Sequence, residues 1–269
     1  MITSTLLRVG ALAGVALTLA SSTLTAPPAL ATASGTLCSN VITVVVRGSE
    51  EGAGTITTAT STTALYSHRT GMGRPDGLAR DYQAASAKTV HAAGLKYDAA
   101  IGLAGVLYNG SRHGGVVNLQ KSLNHLAGAC PSSKTVLIGF SQGAHVIGDA
   151  LAASSGVRPN ATARGRIAAV LLYGDPMYNP TEPFVATSGL KKFGMMGTRA
   201  TGDLSGFASR IRSYCYSGDP ACQGSSTRGG KNLTALNNEA GLAIHRSYFA
   251  KATTTPRAQG VAFAKSKTG

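Results

Sequence analysis

The sequence predicts an α/β protein with a three-layer α/β/α fold around a central, mostly parallel sheet of about five strands. Apolar runs of strand length alternate along the chain with segments of helical periodicity, an order typical of parallel sheets covered on both faces. The strand candidates are almost continuously apolar, as expected for strands buried on both faces. In such sheets functional side chains collect at the carboxyl ends of the strands, so that edge is where a site is expected.

Five strand candidates follow one another in the order that this fold requires. They are residues 41–46, 99–108, 135–140, 167–173 and, more weakly, 207–216. Helices are predicted at 78–93, at 116–127, after residue 141, and from Thr255-Pro256 onward, where a capping residue precedes a first-turn proline. No internal repeat or linker interrupts this order, which predicts a single domain.

The chain begins with the pattern of an exported protein. Arg8 precedes an apolar run, and small residues then allow cleavage after Ala31 or Ala33 under the A-x-A rule. A run of about 12 apolar residues is too short to span a membrane. We therefore expect a signal peptide at residues 1–31, a secreted domain at residues 32–269, and no transmembrane segment.

A G-x-S-x-G pattern, residues 139–143, joins the third strand candidate to the helix after it. A serine at such a turn has a strained backbone and an exposed hydroxyl, and Gly139 and Gly143 would leave room for the neighbouring strand and helix. Ser141 is therefore the candidate nucleophile. The alternative is an ordinary strand-to-helix turn with a surface serine.

The candidate base is a histidine, because a serine hydroxyl needs a group to take its proton. In α/β hydrolases the chain order is serine, acid, histidine, and of the six histidines only His245 comes late enough. The alternative for His245 is a surface position on a helix. His145 lies one helical turn after Ser141, before any candidate acid, and is expected to be solvated or packed.

Two aspartates, Asp175 and Asp219, follow strand candidates and could orient the base. Cys215 and Cys222 flank Asp219 and could staple its loop, which would hold the carboxylate in place. Asp175 could instead bond the backbone of its own Gly-Asp-Pro turn. The residues favour Asp219 as the acid and leave Asp175 open.

The oxyanion of a tetrahedral intermediate also needs two or more hydrogen-bond donors. The backbone N–H of Gln142 follows from the elbow geometry, and a second donor is expected from a loop after an early strand. Ser49, in the glycine-rich loop after the first strand candidate, could give a backbone N–H and its hydroxyl. The alternative for Ser49 is an ordinary glycine-rich turn.

Four cysteines in an exported chain favour two disulfides over free thiols or a metal site. Closeness in sequence favours Cys215 with Cys222, which leaves Cys38 for Cys130. No histidine accompanies a C-x-x-C pair, so we expect no zinc site. A hydrolase of the kind predicted below is expected to need no metal or cofactor.

The net charge of +14 is strongly basic, but lysines and arginines are scattered. Mild concentrations lie at Lys191, Lys192, Arg199, Arg210 and Arg212 and again in the C-terminal tail. Aromatic residues make up only 6 %, with no tryptophan, so the interleaved basic and aromatic pattern of a nucleic-acid-binding surface is missing. We expect no nucleic-acid partner, and attraction to an anionic surface or polymer instead.

Six segments, taken in order, resemble the cutinase family of secreted serine esterases, which includes acetylxylan esterases. They are Val45–Ser49, Ala129–Pro131, Gly139–Ala144, Tyr173–Pro176, Cys215–Cys222, and His245 with Tyr248. The resemblance implies Ser141 as nucleophile, Asp219 as acid, His245 as base, Ser49 with Gln142 as the oxyanion hole, and the disulfides Cys38–Cys130 and Cys215–Cys222.

Two departures from the family pattern bear on the substrate. Glu50 stands where a small residue is usual beside the oxyanion loop. The stretch between Asp219 and His245 is longer than in the fungal members and is rich in serine and glycine. Both would border the cleft.

Together these observations predict a secreted serine esterase that hydrolyses carboxylic esters, either a cutin-like polyester or short- to medium-chain acyl esters, through an acyl-enzyme. The alternatives are an acetylxylan esterase and a non-catalytic secreted binding protein on a hydrolase scaffold. We expect an ester as the substrate and a monomeric protein.

Overall fold

The computed structural model describes Met1 and residues 37–55, 63–102 and 106–269. Apart from Met1, the predicted signal peptide at residues 1–31 lies outside the described residues. The described residues after Met1 belong to one compact unit. No helix in these ranges has the length and apolar character needed to cross a membrane.

Five parallel strands form the central sheet: β1 (Val41–Val46), β2 (Val90–Gly94), β3 (Lys134–Phe140), β4 (Ile167–Tyr173) and β5 (Ile211–Tyr214). Their order across the sheet is β2-β1-β3-β4-β5, which puts β3 in the middle. All residues of β1 are buried, and their β-branched side chains favour the extended backbone. The predicted five-stranded parallel sheet is confirmed.

Within the described residues, six α-helices accompany the sheet: α1 (Asp76–Ala85), α2 (Tyr108–Ala129), α3 (Gln142–Leu151), α4 (Ala161–Arg166), α5 (Glu239–His245) and α6 (Pro256–Thr268). Helices α2, α3 and α4 pack together, and α1 packs against α6. Leu137 and Ile138 of β3 contribute to two separate apolar clusters, because successive strand residues point to opposite faces. The three-layer fold follows from these two cores.

Two predictions for the segment before α2 were wrong. The helix predicted at 78–93 ends at Ala85, and Val90–Gly94 forms β2 instead. The strand predicted at 99–108 is absent from its described residues: 99–102 form a loop, Tyr108 begins α2, and 103–105 lie outside the described part.

The physical reasons for these errors lie in residues that are apolar but not in the expected element. Strand β2 is Val-His-Ala-Ala-Gly, which carries little of the β-branched character that marks a strand. Ala99 and Gly102 have φ values of 55° and 64°, which a strand does not accommodate. Val106 and Leu107 are 78 % and 56 % exposed, so this apolar run is not part of the core.

The last two predicted elements are closer to the structure. The weak strand at 207–216 is confirmed only for Ile211–Tyr214, because a 3-10 helix occupies Ser205–Arg210. The predicted helix start is confirmed: Thr255 is the N-cap of α6, and Pro256 is in its first turn.

Candidate active site

Ser141 lies at the carboxyl edge of the sheet, between the end of β3 and the start of α3. Its backbone has φ 54° and ψ −122°, a conformation that is strained for any residue with a side chain. The serine N–H donates to the carbonyl of Tyr173 in β4 at 2.9 Å. This is the sharp turn that the G-x-S-x-G pattern predicted.

Two glycines allow the turn to be this tight. A Cβ on Gly143 would lie 2.0 Å from the carbonyl oxygen of Val46 in β1, and a Cβ on Gly139 would lie 2.7 Å from Cα of Ala144 in α3. Side chains other than hydrogen are excluded at both positions by backbone atoms, which cannot rotate away. Close packing of the backbone therefore requires glycine at both of these positions in the G-x-S-x-G pattern.

Asp219 and His245 form a buried pair beside this turn. Asp219 follows β5 and is fully buried, and His245 is the last residue of α5. The Nδ1 atom of His245 lies 2.9 Å from both carboxylate oxygens of Asp219. Because Nδ1 faces the carboxylate, Nε2 is the nitrogen left to exchange a proton with a substrate or nucleophile.

Neighbouring residues pack this pair from two sides. The ring of Phe140 stacks on His245 with ring centroids 4.7 Å apart. On another side is Gly174, with φ 57°, where a Cβ would lie 2.8 Å from the imidazole and 3.0 Å from the Asp219 carboxylate. The geometry of the pair therefore depends on the last residue of β3 and on the residue that follows β4.

Two further groups hold the Asp219 carboxylate. The N–H of Ala221 donates to it at 2.7 Å and the hydroxyl of Tyr248 at 2.6 Å. Burial, together with the charge of Asp219, raises the pKa of Tyr248 well above its ordinary value, so the hydroxyl keeps its proton and acts as a donor. The disulfide Cys215–Cys222 closes the loop that carries Asp219.

Tyr248 is a site residue that sequence reasoning missed. It contributed to the family resemblance through its place after His245, yet received no role. The available signal was its spacing: three residues after the end of α5, its ring returns beneath Tyr216, with centroids 4.6 Å apart. The N–H of Tyr216 donates to the same hydroxyl at 2.8 Å.

Asp175 has partners other than His245. One oxygen accepts the N–H of Met177 at 2.9 Å, within the predicted Gly-Asp-Pro turn. The other lies 2.7 Å from Nη1 of Arg199. The structural alternative for Asp175 therefore agrees with its contacts, and Asp219 is the aspartate placed against the histidine.

Arg199 is a buried cation that the sequence did not distinguish from surface charge. Besides Asp175, its guanidinium donates to Asp149 at 3.0 Å and to the carbonyl of His145 at 3.0 Å. Burial alone would raise the pKa of Asp149, but the charge of Arg199 and the hydrogen bond from His145 hold it well below its usual value. This ion network ties α3 to the turn after β4.

His145 is packed rather than solvated, one of its two expected states. Burial lowers its pKa, which favours the neutral ring. Its Nε2 lies 3.2 Å from Asp149, and its Nδ1 lies 3.0 Å from the hydroxyl of Tyr108. The neutral ring therefore donates to Asp149 through Nε2 and accepts from Tyr108 through Nδ1.

Gln142 begins α3 with its side chain locked inside the protein. The side-chain amide donates to the carbonyls of Ala100 at 3.1 Å and Tyr108 at 3.3 Å. The backbone N–H of a first helical residue has no acceptor within its own helix. The side chain thus fixes the helix start, while the N–H stays available at the turn.

Ser49 lies in a loop that buried charges hold in shape. The Glu51 carboxylate accepts the N–H of Gly48 at 2.8 Å, and Arg47 donates to the carbonyls of Glu51 and Tyr97 at 2.8 and 2.7 Å. Burial raises the pKa of Glu51, while hydrogen bonds from Gly48 and Arg74 oppose that shift. The sequence indicated no role for Glu51, and none for Arg47 beyond its place in the Val45–Ser49 segment.

A cavity of about 380 Å³ is lined by three of the predicted site residues. Ser49, Ser141 and His245 all line it, and Glu50 lies at the same cavity. Asp219 sits behind His245, out of the cavity. The residues predicted from distant parts of the chain therefore meet in one place.

An apolar cavity of about 460 Å³ adjoins the first. The two share the lining residues Ile101, Tyr108, Met195 and Leu236. Part of its wall is a 3-10 helix, Leu233–Asn237, from the long stretch between Asp219 and His245. That stretch borders the site, as the sequence predicted.

Both predicted disulfides are present. Cys38 pairs with Cys130, and Cys215 pairs with Cys222. The first joins the segment before β1 to the end of α2, close to the start of β3.

Comparisons with known proteins agree with this architecture. Acetylxylan esterase 2 of Talaromyces purpureogenus is 27 % identical over 61 % of this chain and 66 % of its own length, and cutinase 11 of Verticillium dahliae is 29 % identical over 44 % of this chain and 42 % of its own. The match thus spans from about two fifths to just under two thirds of these relatives. A solved structure of an iodinated acetyl xylan esterase complex superposes with a TM-score of 0.65 at 23 % identity, over 86 % of this chain and all of that one.

The family model for cutinases matches residues 37–267, nearly the whole described chain. The chain belongs to the cutinase family.

Proposed function

We propose that this protein is a secreted serine esterase that cleaves carboxylic esters through an acyl-enzyme. The observation that carries the proposal is the buried Asp219–His245 pair at the cavity that Ser141 lines, in a chain of the cutinase family. The residues provide a nucleophile, a base and an orienting carboxylate, which is the set that ester hydrolysis needs.

The proposed reaction has two halves. Ser141 Oγ attacks the ester carbonyl as His245 Nε2 takes its proton, and the oxyanion is held by N–H groups of Ser49 and Gln142. The imidazolium gives the proton to the departing alcohol, which leaves Ser141 acylated. Water, deprotonated by His245, then attacks the acyl carbonyl, and the carboxylic acid leaves as the proton returns to Ser141.

The apolar cavity favours short- to medium-chain acyl esters or a cutin-like polyester as the substrate. Its lining by Ile101, Met195 and Leu236 suits a hydrocarbon chain, and about 460 Å³ is far more space than an acetyl group fills. The ester would reach Ser141 where the two cavities adjoin, beside the lining residues that they share.

Deacetylation of xylan or another acetylated polysaccharide is the second candidate. It is favoured by the sequence relative named acetylxylan esterase 2. Rates on p-nitrophenyl esters from acetate to palmitate, beside acetate release from acetylated xylan, distinguish the two. Maximal turnover on esters from butyrate to octanoate supports acyl esters or a polyester as the substrate. Release of acetate from xylan with negligible action on butyrate supports the second candidate.

Export is proposed on the N-terminal pattern of residues 1–31 and on two disulfides, which persist in oxidising compartments. The single domain after residue 31 and a monomeric state are proposed with it.

A fluorophosphonate probe tests the catalytic assignment and the alternative of a non-catalytic binding protein together. We expect stoichiometric labelling of the wild type and none of Ser141→Ala, measured by intact-protein mass spectrometry. Ser217→Ala, an exposed serine beside the Asp219 turn, is the matched control and should label fully. An unlabelled wild type would favour a binding protein, and labelling of Ser141→Ala would move the nucleophile elsewhere.

A further inference from the structure

Two adjoining polar cavities, of about 770 and 400 Å³, lie next to the Leu233–Asn237 helix, and the larger is lined in part by that helix. They share the lining residues Lys192, Gln223, Gly224 and Asn232. We name them together the basic groove. The esterase mechanism uses none of these residues.

Three lysines give the groove its charge. Lys191 and Lys192 line the larger cavity, and Lys192 and Lys231 line the smaller one. All three are exposed, and none forms an ion pair within the described residues. No aspartate or glutamate is among the residues that line either cavity, so the positive charge is uncompensated where a ligand would lie.

The rest of the lining is rich in groups that both donate and accept hydrogen bonds. Amides and hydroxyls come from Ser217, Ser226, Thr234 and Asn237. Internal bonds fix the walls: Gln223 donates to the carbonyl of Lys192 at 2.9 Å. A lining of lysines, amides and hydroxyls suits a ligand that carries many hydroxyls as well as negative charge.

We propose that the basic groove binds an acidic polysaccharide, whose carboxylates pair with the lysines and whose hydroxyls bond the amides and hydroxyls of the walls. No aromatic side chain lines either cavity, so a stacking platform for nucleobases is absent from the groove. An anionic membrane is a poor match because the groove is concave and most of its lining residues are polar or glycine.

Consecutive residues of the chain line the groove and the catalytic cavity. Pro220 lines the groove, while its neighbour Ala221 lines the catalytic cavity, and Asp219 precedes both. A polysaccharide held in the groove would keep the enzyme on a surface that carries esters. The binding itself does not depend on the proposed esterase activity.

Binding of the full-length Ser141→Ala protein to polygalacturonate, measured by calorimetry at two salt concentrations, tests the proposal without turnover. The groove variant carries Lys191→Gln, Lys192→Gln and Lys231→Gln. The control variant carries the same charge change at three exposed lysines elsewhere: Lys88→Gln, Lys121→Gln and Lys251→Gln. Melting curves confirm that both variants fold.

We expect binding that weakens with salt, a loss of about 10-fold in the groove variant and of less than about 2-fold in the control. Equal losses in both variants would show attraction to net charge and overturn the site. Polyglutamate bound with the same lysine dependence would overturn the saccharide assignment, and duplex DNA bound more tightly than polygalacturonate would do the same. Turnover of p-nitrophenyl butyrate by the two lysine variants, made with Ser141 intact, should equal that of wild type, so the two proposals fail independently.

Discussion

Hydrogen bonds distinguish the two aspartates that follow β4 and β5. Asp219 lies against His245, with Ala221 and Tyr248 as further donors, whereas Asp175 lies against Arg199 and Met177. The same residue type after neighbouring strands thus contacts a histidine in one case and a buried cation in the other.

Asparagine at each position should separate these roles. Asp219→Asn should leave the fold intact and lower turnover about 10³- to 10⁴-fold, since the histidine is then held in the wrong tautomer. Asp175→Asn should lower the free energy of unfolding by about 3 kcal/mol, because Arg199 loses one charged partner in a buried site, while most turnover survives in the folded fraction. Initial rates and melting curves measure both, and the reversed pattern would show that Asp175 is the acid.

Glu51 should make stability depend on pH in a direction opposite to most carboxylates. Burial raises its pKa above the usual 4.5, so the folded protein holds this proton more tightly than the unfolded chain. Its contribution to the free energy of unfolding is therefore full below pH 4.5 and is lost as the pH rises through the folded-state pKa. Melting temperatures of wild type and Glu51→Gln, compared from pH 4 to 8, should show wild type relatively more stable on the acid side.

Parallel pH profiles for these two proteins would contradict a raised pKa. Turnover measured on the same samples then reports whether the loop of Ser49 needs the carboxylate, because Gly48 and Arg74 both donate to it.

At the scale of elements, two adjacent glycines in α2 differ sharply in their surroundings. A Cβ on Gly115 would lie 2.8 Å from Val146 in α3 and 3.0 Å from Tyr97, whereas a Cβ on Gly114 would meet nothing within 4 Å. Gly115 is therefore where α2 approaches α3, the helix that follows Ser141.

Alanine at these positions should have opposite effects. Gly114→Ala should raise the free energy of unfolding by up to about 1 kcal/mol through helix propensity. Gly115→Ala should lower it by about 1 to 3 kcal/mol through overpacking against α3. Chemical denaturation of both variants measures the difference, and equal stabilisation would mean that the two helices can separate without cost.

The sequence predicted the central elements better than the edge of the sheet. Strands β1, β3 and β4 are buried on both faces, and their long apolar runs express that burial directly. The edge strand β2 contains two alanines and a glycine, which carry no strong preference for a strand. Its extended conformation comes from the pairing with β1, which the sequence does not reveal. The strand predicted at 99–108 was wrong in part because residues 106–107 are apolar but exposed, and an apolar run does not show by itself that it is buried.

The candidate site could be predicted from the sequence only where a residue belongs to a local pattern or has a fixed order along the chain. Ser141 and His245 follow from a turn pattern and from chain order, and both line the cavity. Tyr248 and Arg199 could not be assigned, because each acts through a contact that only the fold creates. Their partners, Asp219 and Asp149, lie 29 and 50 positions away in the chain.

At the scale of the whole molecule, the two disulfides should differ in what they stabilise. Cys38 and Cys130 are 92 positions apart, and Cys215 and Cys222 are 7 apart. The chain-entropy model assigns about 4.5 kcal/mol to the long loop and about 2.5 kcal/mol to the short one. The short loop, however, carries Asp219.

Removing each bridge should therefore separate stability from activity. Cys38→Ser with Cys130→Ser should lower the melting temperature more, and Cys215→Ser with Cys222→Ser should lower turnover more in the folded protein. Rates measured well below both melting temperatures make the comparison. Full turnover without the short bridge would show that the loop is held by Tyr248 and Ala221 alone.

The 3-10 helix Leu233–Asn237 has a consequence for how such a protein can evolve. Thr234 and Asn237 line both the apolar cavity and the basic groove, so each is shared by two surfaces of opposite character. A mutation at either position changes both surfaces at once. If both proposals hold, selection for a new acyl chain also acts on polysaccharide binding. The two could then be adjusted independently only at residues, such as Met195 or Lys231, that line one of these surfaces and not the other.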